Sequence, residues 1–480
     1  MSHWITVLPG KLRLEAAEDE TLLSVLRTAG LIMDAPCGGE GRCGKCRVFA
    51  DGMEVLACRT PADRDMTVAL PQQSAQHILS EGVSLSVTQG REGCCLAVDL
   101  GTTTVAGYLL TADKEPAGAS LRNPQSVFGA DVMSRIRLAV QGQREILSNS
   151  IRRCMETLTL TLCRKADVSP GDIQRVCVAG NPAMQQLLLG IPVDNLAKVP
   201  FSPVLTQAKT IPAKEILPLW DNADFLIVPD IAGFVGADTV SCMLATEQDT
   251  REDMVLLVDI GTNAEMVLGN RRRRVACSAA AGPALEGAMI RFGMGGQTGA
   301  IDHVWLENDE LKCSVIGGGA ALGICGSGLI DAVAVALEQG ILNKRGKILT
   351  DDNLIHLTDR ICLTQEDIRQ AQLAKGAIAA GIQLMANHIG IPLSDIHQVY
   401  LAGAFGAYMD PKSACRMGLL PKELEGKITA VGNAALSGAM LLACDECVVE
   451  RAKKIVETTE TLELGTMREF PRCFAKNMRF

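Results

Sequence analysis

Four cysteines near the N-terminus could do chemistry together. They are spaced Cys37-x5-Cys43-x2-Cys46-x11-Cys58, and three of them lie in the glycine-laden stretch APCGGEGRCGKCRV. Four thiolates can hold zinc or an iron–sulfur cluster, or remain unliganded. Structural zinc sites present two C-x-x-C knuckles; here three cysteines share one loop and the fourth arrives alone from a later strand. A loop wrapped around a cluster donates backbone N–H groups to its sulfurs. Gly38, Gly39, Gly41 and Gly44 give this loop the bends that such wrapping needs.

A second chemistry is written twice. CCLAVDLGTTTVAGYLL at 94–110 is echoed by MVLLVDIGTNAEMVLGN at 254–270. Each is an apolar strand, then Asp-x-Gly-Thr, then a second apolar strand. A glycine turn lined with hydroxyls and amides offers N–H donors to phosphate oxygens, and the aspartate before it can hold Mg²⁺ through water. The candidate metal-water anchors are Asp99 and Asp259. The candidate phosphate-holding residues are Gly101, Thr102, Thr103 and Thr104 in one turn and Gly261, Thr262 and Asn263 in the other. Glu265, two residues past Asn263, is a candidate for orienting an attacking water. A third element, VYLAGAFGAYMD at 399–410, runs from a strand into a glycine turn, where Gly403 and Gly406 allow close approach to an adenosine. The glycines of this third element lack the G-x-G-x-x-G order and no βαβ unit opens the chain, and there is no G-x-x-x-x-G-K-[ST], so neither a dinucleotide fold nor a P-loop is expected.

These residues need elements to place them. The first 70 residues read as a hairpin broken at Pro9-Gly10, a short amphipathic helix over EDETLLSVLRTAG, the cysteine loop, a second hairpin turning at Asp51-Gly52, and a last strand MTVALP. That is a small mixed sheet of the β-grasp kind. Residues 71–93 are polar and aperiodic and read as a linker. From Cys94 onward apolar strands alternate with helices, an α/β pattern whose duplicated turns divide it into lobes at 94–253 and 254–480. With 480 residues, 48% hydrophobic and 21% charged, the chain is globular and multidomain. A net charge of −9 argues against nucleic acid. The basic run NRRRRV at 270–275 reads as a solvated hairpin turn. No secretory signal is visible and no apolar run reaches the roughly 18 residues of a membrane span, so a cytoplasmic location is expected. Most of the eighteen cysteines read as small buried hydrophobes, Cys444 and Cys447 on their apolar helical run included.

The cysteine pattern resembles plant-type [2Fe–2S] ferredoxins, with one more residue between the first two ligands. Residues 94–480 resemble the actin-like ATPase superfamily, with a two-lobed, ribonuclease-H-like fold. Asp99 to Thr104 match its first phosphate motif, Asp259 to Asn263 its second and Leu401 to Gly406 its adenosine motif. VAGNPAMQQLLLG (178–190) and VGNAALSGAMLLA (431–443) match its connecting helices. CSAAAGPALEGAMIRFGMGG and ICGSGLIDAVAVAL narrow the likeness. Together with the cysteines they resemble the ATP-dependent reductive activators of corrinoid proteins. Some of those are longer, which suggests that this chain lacks a middle domain.

What the resemblance implies is a [2Fe–2S] cluster on Cys37, Cys43, Cys46 and Cys58, and ATP with Mg²⁺ between the lobes. The implied task is transfer of one electron to the inactive cobalt(II) of a corrinoid protein in a methyltransferase system, regenerating cobalt(I). The expected partners are that corrinoid protein and an upstream low-potential electron donor, without nucleic acid or membrane; a homodimer stays open. Two other functions fit parts of the sequence: a small-molecule kinase with a redox-sensing cluster, and a non-catalytic, nucleotide-gated electron carrier.

Overall fold

A computed structural model of the protein describes residues 3–8, 12–17, 19–29, 31, 35, 39, 41, 44–70, 93–112, 114–129, 131–308, 310–406 and 408–480. Cys37, Cys43 and the linker expected at 71–93, Gly93 excepted, lie outside them.

Near the N-terminus, β1 (His3–Leu8), β2 (Leu12–Ala16), β3 (Arg47–Ala50), β4 (Met53–Leu56) and β5 (Met66–Ala69) form one mixed sheet in the order β2-β1-β5-β3-β4. Period-two alternation turns Ile5, Val7, Val48, Ala50, Met66 and Val68 inward. They meet α1 (Leu22–Thr28), which buries Leu22, Leu23, Val25 and Leu26. Thr21 caps that helix, its hydroxyl accepting from the Ser24 amide at 3.3 Å. This unit closes a hydrophobic core of its own.

The next sheet has the order β10-β11-β9-β6-β7-β8. It contains β6 (Cys94–Leu100), β7 (Thr104–Leu110), β8 (Ala117–Arg122), β9 (Ile173–Gly180), β10 (Lys209–Pro212) and β11 (Asp224–Ile227). β6, β7 and β8 are an antiparallel meander, while β9 pairs parallel to β6 and β11 parallel to β9. α2 (Val132–Leu138), α3 (Arg144–Ala166) and α4 (Pro182–Leu189) cover one face, and α5 (Ala237–Ala245) lies on the other.

A third sheet repeats this plan. β12 (Val255–Ile260), β13 (Ala264–Gly269) and β14 (Arg274–Ala279) are its meander. β20 (Gln398–Ala402) and β21 (Ile428–Gly432) add in parallel, and β22 (Thr459–Thr461) borders β14. Between β14 and β20 the chain makes a small sheet of β15 (Ala300–Glu307), β16 (Glu310–Val315) and β17 (Gly323–Ile324), then α6 (Gly326–Glu338), the short pair β18 (Ile355–His356) and β19 (Cys362–Leu363), and α7 (Gln365–Ile389). α8 (Gly403–Gly406) and α9 (Pro411–Arg416) follow β20, and α10 (Ala434–Cys444), α11 (Glu446–Thr458) and α12 (Phe470–Asn477) complete the lobe. The basic run turns between β13 and β14, as a hairpin requires. The C-x-x-C reading is corrected in part: α10 ends at Cys444, Asp445 caps α11, and Cys447 is exposed.

Strand alternation explains how the two lobes meet. Leu96, Val98 and Leu100 of β6 face α3 and α4, whereas Cys95 and Ala97 face the other way. On β12, Leu256, Val258 and Ile260 face α6 and α7, whereas Leu257 joins the same shared core as Ala97. α5 and α10 lie in that shared core, so each belongs to both lobes. They start alike, with Val235-Gly236-x4-Ser241 and Val431-Gly432-x4-Ser437. A Cβ on Gly438 would stand 2.0 Å from the Ser241 carbonyl oxygen, so only hydrogen fits at their crossing. Among the described residues, no helix is long and apolar enough to cross a membrane.

Candidate functional site

The alternation that sends Cys95 and Ala97 into the seam between the lobes sends Asp99 the same way, and on β12 Asp259 follows Leu257. Both aspartates therefore emerge at the strand ends facing a cavity of about 660 Å³, which the 101–104 and 261–263 turns also line. The two turns differ by one residue: Leu100 pairs with Val105, but Ile260 pairs with Ala264. Asp99 consequently faces Ala106, while Asp259 faces Glu265. Only the second hairpin delivers a carboxylate across from its aspartate.

Each acid in the cleft has a defined partner. The Asn433 side-chain amide, at the cap of α10, donates to Asp99 at 2.9 Å. Cys242 of α5 donates to Asp259 at 3.6 Å. α5 and α10 thus each hold the opposite lobe's aspartate, and the expectation of a connecting helix at 178–190 is corrected, because α4 packs with α3 in the first large sheet's own core. Ser278 donates to Glu265 at 3.1 Å, and Thr262 donates to Glu286 at 2.6 Å. Asp238, in the first turn of α5, accepts from the Thr239 amide at 2.7 Å, and Asp302 accepts from the Ser314 hydroxyl, which completes the group.

Burial pushes Asp99 up to about 7, the neighbouring Asp259 and Asp238 charges adding to it against the Asn433 hydrogen bond. Asp238 rises to about 7 and Asp259 to about 6, again chiefly by burial. Glu265 is pushed well above the usual range by burial and by the charges of Asp238 and Asp259. Glu286 is raised by burial. Carboxylates crowded this way repel one another when ionised, although among the described residues no three of them converge as metal ligands.

The first turn is held from behind. Asn123 donates through its side chain to the Gly101 carbonyl at 2.8 Å and through its backbone amide to the Thr103 carbonyl at 2.9 Å. Between them, the Arg135 guanidinium donates to the Thr102 carbonyl. It also donates to the Gly129 carbonyl at 3.0 Å and the Gln125 side chain at 3.2 Å. Three successive carbonyls are tied away, which suits a turn that presents its amides to an anion. Arg135 is fully buried, and burial lowers it to about 9.

Gly403 opens α8, a single helical turn where the sequence suggests a plain glycine turn. Its φ is +87°, and a Cβ there would lie 2.6 Å from the Asp259 carboxylate, so the turn backs directly onto that aspartate. At Gly406 a Cβ would meet Leu401 at 3.2 Å.

In the N-terminal unit, the Ala57 amide donates to the Cys46 carbonyl at 2.8 Å. This sets Cys58, on the 3-10 turn Ala57–Arg59 that follows β4, beside Cys46. Both thiols are buried. Burial raises Cys46, the Cys58 amide donating to its sulfur in the opposite sense. At Gly41, with φ +74°, a Cβ would lie 1.9 Å from the Arg59 side chain. Two adjacent buried thiols, an amide aimed at sulfur and a positive-φ glycine beside them fit a cluster bound by this segment.

Asp238, Glu286, Asn433 and Arg135 were not among the residues picked from sequence. One signal was available: Asp238 and Asn433 both follow the repeated Val-Gly step that starts α5 and α10.

Residues 5–67 match the 2Fe-2S iron-sulfur cluster binding domain, 94–251 the RACo middle region and 253–480 the C-terminal domain of RACo, the ASKHA domain. The expectation of a missing middle domain is thereby corrected: the middle region is the first of the two large sheets with its helices. The chain is 30% identical to corrinoid activation enzyme RamQ of Eubacterium limosum, over 97% of both chains. It is 31% identical to the [Co(II) methylated amine-specific corrinoid protein] reductase of Methanosarcina barkeri, over 78% of this chain and 75% of that one. A solved reductive activator for corrinoid, iron-sulfur protein superposes with a TM-score of 0.72 at 26% identity, covering 100% of this chain and 98% of that one. An iron–sulfur domain joined to an actin-like ATPase fold, matched along its length to such proteins, places this chain in the RACo family of reductive activators.

Proposed function

We propose that this protein reductively activates a corrinoid protein, delivering one electron to its cobalt(II) to give cobalt(I) while hydrolysing ATP. The observation that carries this reading is the joining, in one chain, of a buried cysteine pair on a ferredoxin-like sheet to a carboxylate-lined cleft between two duplicated lobes. When bound, the [2Fe–2S] cluster supplies a single electron from a potential near −400 mV, as plant-type clusters do. Cobalt(II) in a corrinoid is harder to reduce, and each 59 mV uphill costs a factor of about ten in the equilibrium constant. Binding energy from a nucleotide can offset this by favouring a complex in which the cobalt's lower ligand is displaced.

The residues divide the work. Cys37, Cys43, Cys46 and Cys58 would hold the cluster. Asp99 and Asp259, from opposite lobes, would hold Mg²⁺ through its waters, with Asp238 beside them. The amides and hydroxyls of 101–104 and 261–263 hold phosphate oxygens, and Gly403 and Gly406 let adenosine lie against α8. Glu265 accepts a hydrogen bond from the water that attacks the terminal phosphate. The electron comes from an upstream low-potential donor, and the partners meet in the cytoplasm.

The test is cobalt(I) formation, followed by visible absorbance, in a mixture of this protein, a corrinoid protein, reductant and Mg-ATP. Signal that requires ATP supports the proposal. ATP-independent reduction, or phosphorylation of a sugar or acid in its place, overturns it.

A further inference from the structure

The cleft between the lobes is not built by the lobes alone. Lys45, which sits between Gly44 and Cys46 in the cysteine loop, lines the same cavity as the phosphate turns. Its ammonium donates to the backbone carbonyl of Gly293. Gly293 is tightly packed. It forms a bridge to Ile324, and a Cβ there would lie 2.1 Å from the Gly287 carbonyl oxygen, so the backbone segments are in contact. Gly287 directly follows Glu286, the carboxylate that accepts the Thr262 hydroxyl of the second phosphate turn. Hydrogen bonds at either end and close backbone contact between Gly293 and Gly287 therefore link that turn to Lys45.

Charge strengthens the case. Among the described residues lining the cavity, six are acids (Asp99, Asp238, Asp259, Glu265, Glu286 and Asp302), and only Lys45 and Arg122 are cations. A triphosphate entering such a cavity meets net repulsion unless cations accompany it. Mg²⁺ is one; an ammonium at the wall is another, since lysine is a compact, mobile phosphate donor.

We propose that Lys45 is a nucleotide-binding residue supplied by the iron–sulfur domain. Its ammonium leaves the Gly293 carbonyl for a phosphate oxygen of ATP, and docking of the cluster loop and nucleotide occupancy become one linked equilibrium. The proposal rests on the reading of the cleft as an ATP site. Because Lys45 is bonded to Cys46, whatever fixes the lysine fixes a cluster ligand. By reciprocity, ATP steadies the cluster loop as much as the loop tightens ATP.

The experiment uses the full chain with its cluster assembled and needs no corrinoid protein. Calorimetric titration with Mg²⁺ and a non-hydrolysable ATP analogue should show Lys45→Met binding ~10- to 100-fold more weakly than the unaltered protein, the usual effect of losing a hydrogen bond to a charged group. Lys45→Arg should recover most of that loss, and visible absorbance should show the same cluster content in all three. In the unaltered chain, the analogue should slow hydrogen exchange at the Lys45 and Cys46 amides. Unweakened binding by Lys45→Met overturns the proposal, and so does exchange at these amides that ignores the analogue. Failure of the unaltered chain to bind the analogue overturns the ATP reading of the cleft itself.

Discussion

Removing Arg135 would loosen the 101–104 turn from behind. Arg135→Met leaves the Thr102 and Gly129 carbonyls without their donor, and each orphaned buried acceptor costs about 1–3 kcal/mol. We expect lower thermal stability and a raised KM for ATP. Arg135→Lys, which keeps the charge but not the fork, should melt closer to the unaltered protein and still show the raised KM. Glu265→Gln tests a different role: it should bind ATP and lose hydrolysis, and unchanged turnover would remove Glu265 from the mechanism. The raised aspartates also set a pH dependence. Asp99, Asp238 and Asp259 hold protons in the folded state up to about 7, 7 and 6, while the unfolded chain releases them near 4. The folded state binds more protons across this window, so stability falls as pH rises from about 4 to 7. Melting curves in chelator should show that decline, and Mg²⁺ should flatten it. A melting temperature rising over the same range would contradict the crowded-carboxylate picture.

Among the elements, the duplicated Asp-x-Gly-Thr hairpins could be read from sequence because their signal is local: alternation, a glycine turn and an aspartate at a strand end. The five strands around each hairpin repeat the same order, which follows from that duplication, while the sixth lies at opposite edges, β10 beside β11 and β22 beside β14. What the sequence hid is set by contacts across long separations. Asn433 reaches Asp99 from 334 residues away, and Arg135 meets Thr102 from 33. The one-residue difference between the two turns likewise appears only once strand register is known. Cys58 shows a smaller limit: its assignment to a strand hairpin misses the 3-10 turn that brings it beside Cys46. The crossing of α5 and α10 offers an element-scale test. Gly438→Ala forces these helices apart at the Ser241 carbonyl. Overpacking of this kind costs about 1–3 kcal/mol, visible as an earlier thermal transition with the Cys46–Cys58 unit unaffected.

Across the whole molecule, the N-terminal sheet keeps a hydrophobic core separate from those of the two lobes. Damage to one should leave the other folded. Cys58→Ala should therefore abolish the cluster's visible absorbance and cobalt(I) formation, while the thermal transition of the lobes stays in place. Loss of both transitions together would mean that the cluster domain is required for the lobes to fold.

The shared core between the lobes is made largely of small side chains, among them Ala97, Ala106, Ala179, Ala434, Ala435 and Ala439. Small residues present a shallow relief, with few knobs seated in deep holes. Such a seam behaves as a bearing: the lobes can slide a short way without lifting large side chains out of pockets. The resistance to opening then comes from polar ties across the seam: at the rim, the pairs that Asn433 and Cys242 make with the opposite lobe's aspartates, and away from it the forked Arg451–Asp249 pair and the Arg175–Glu446 pair. A cation or phosphate arriving at the rim loosens the first set and leaves the second as a pivot.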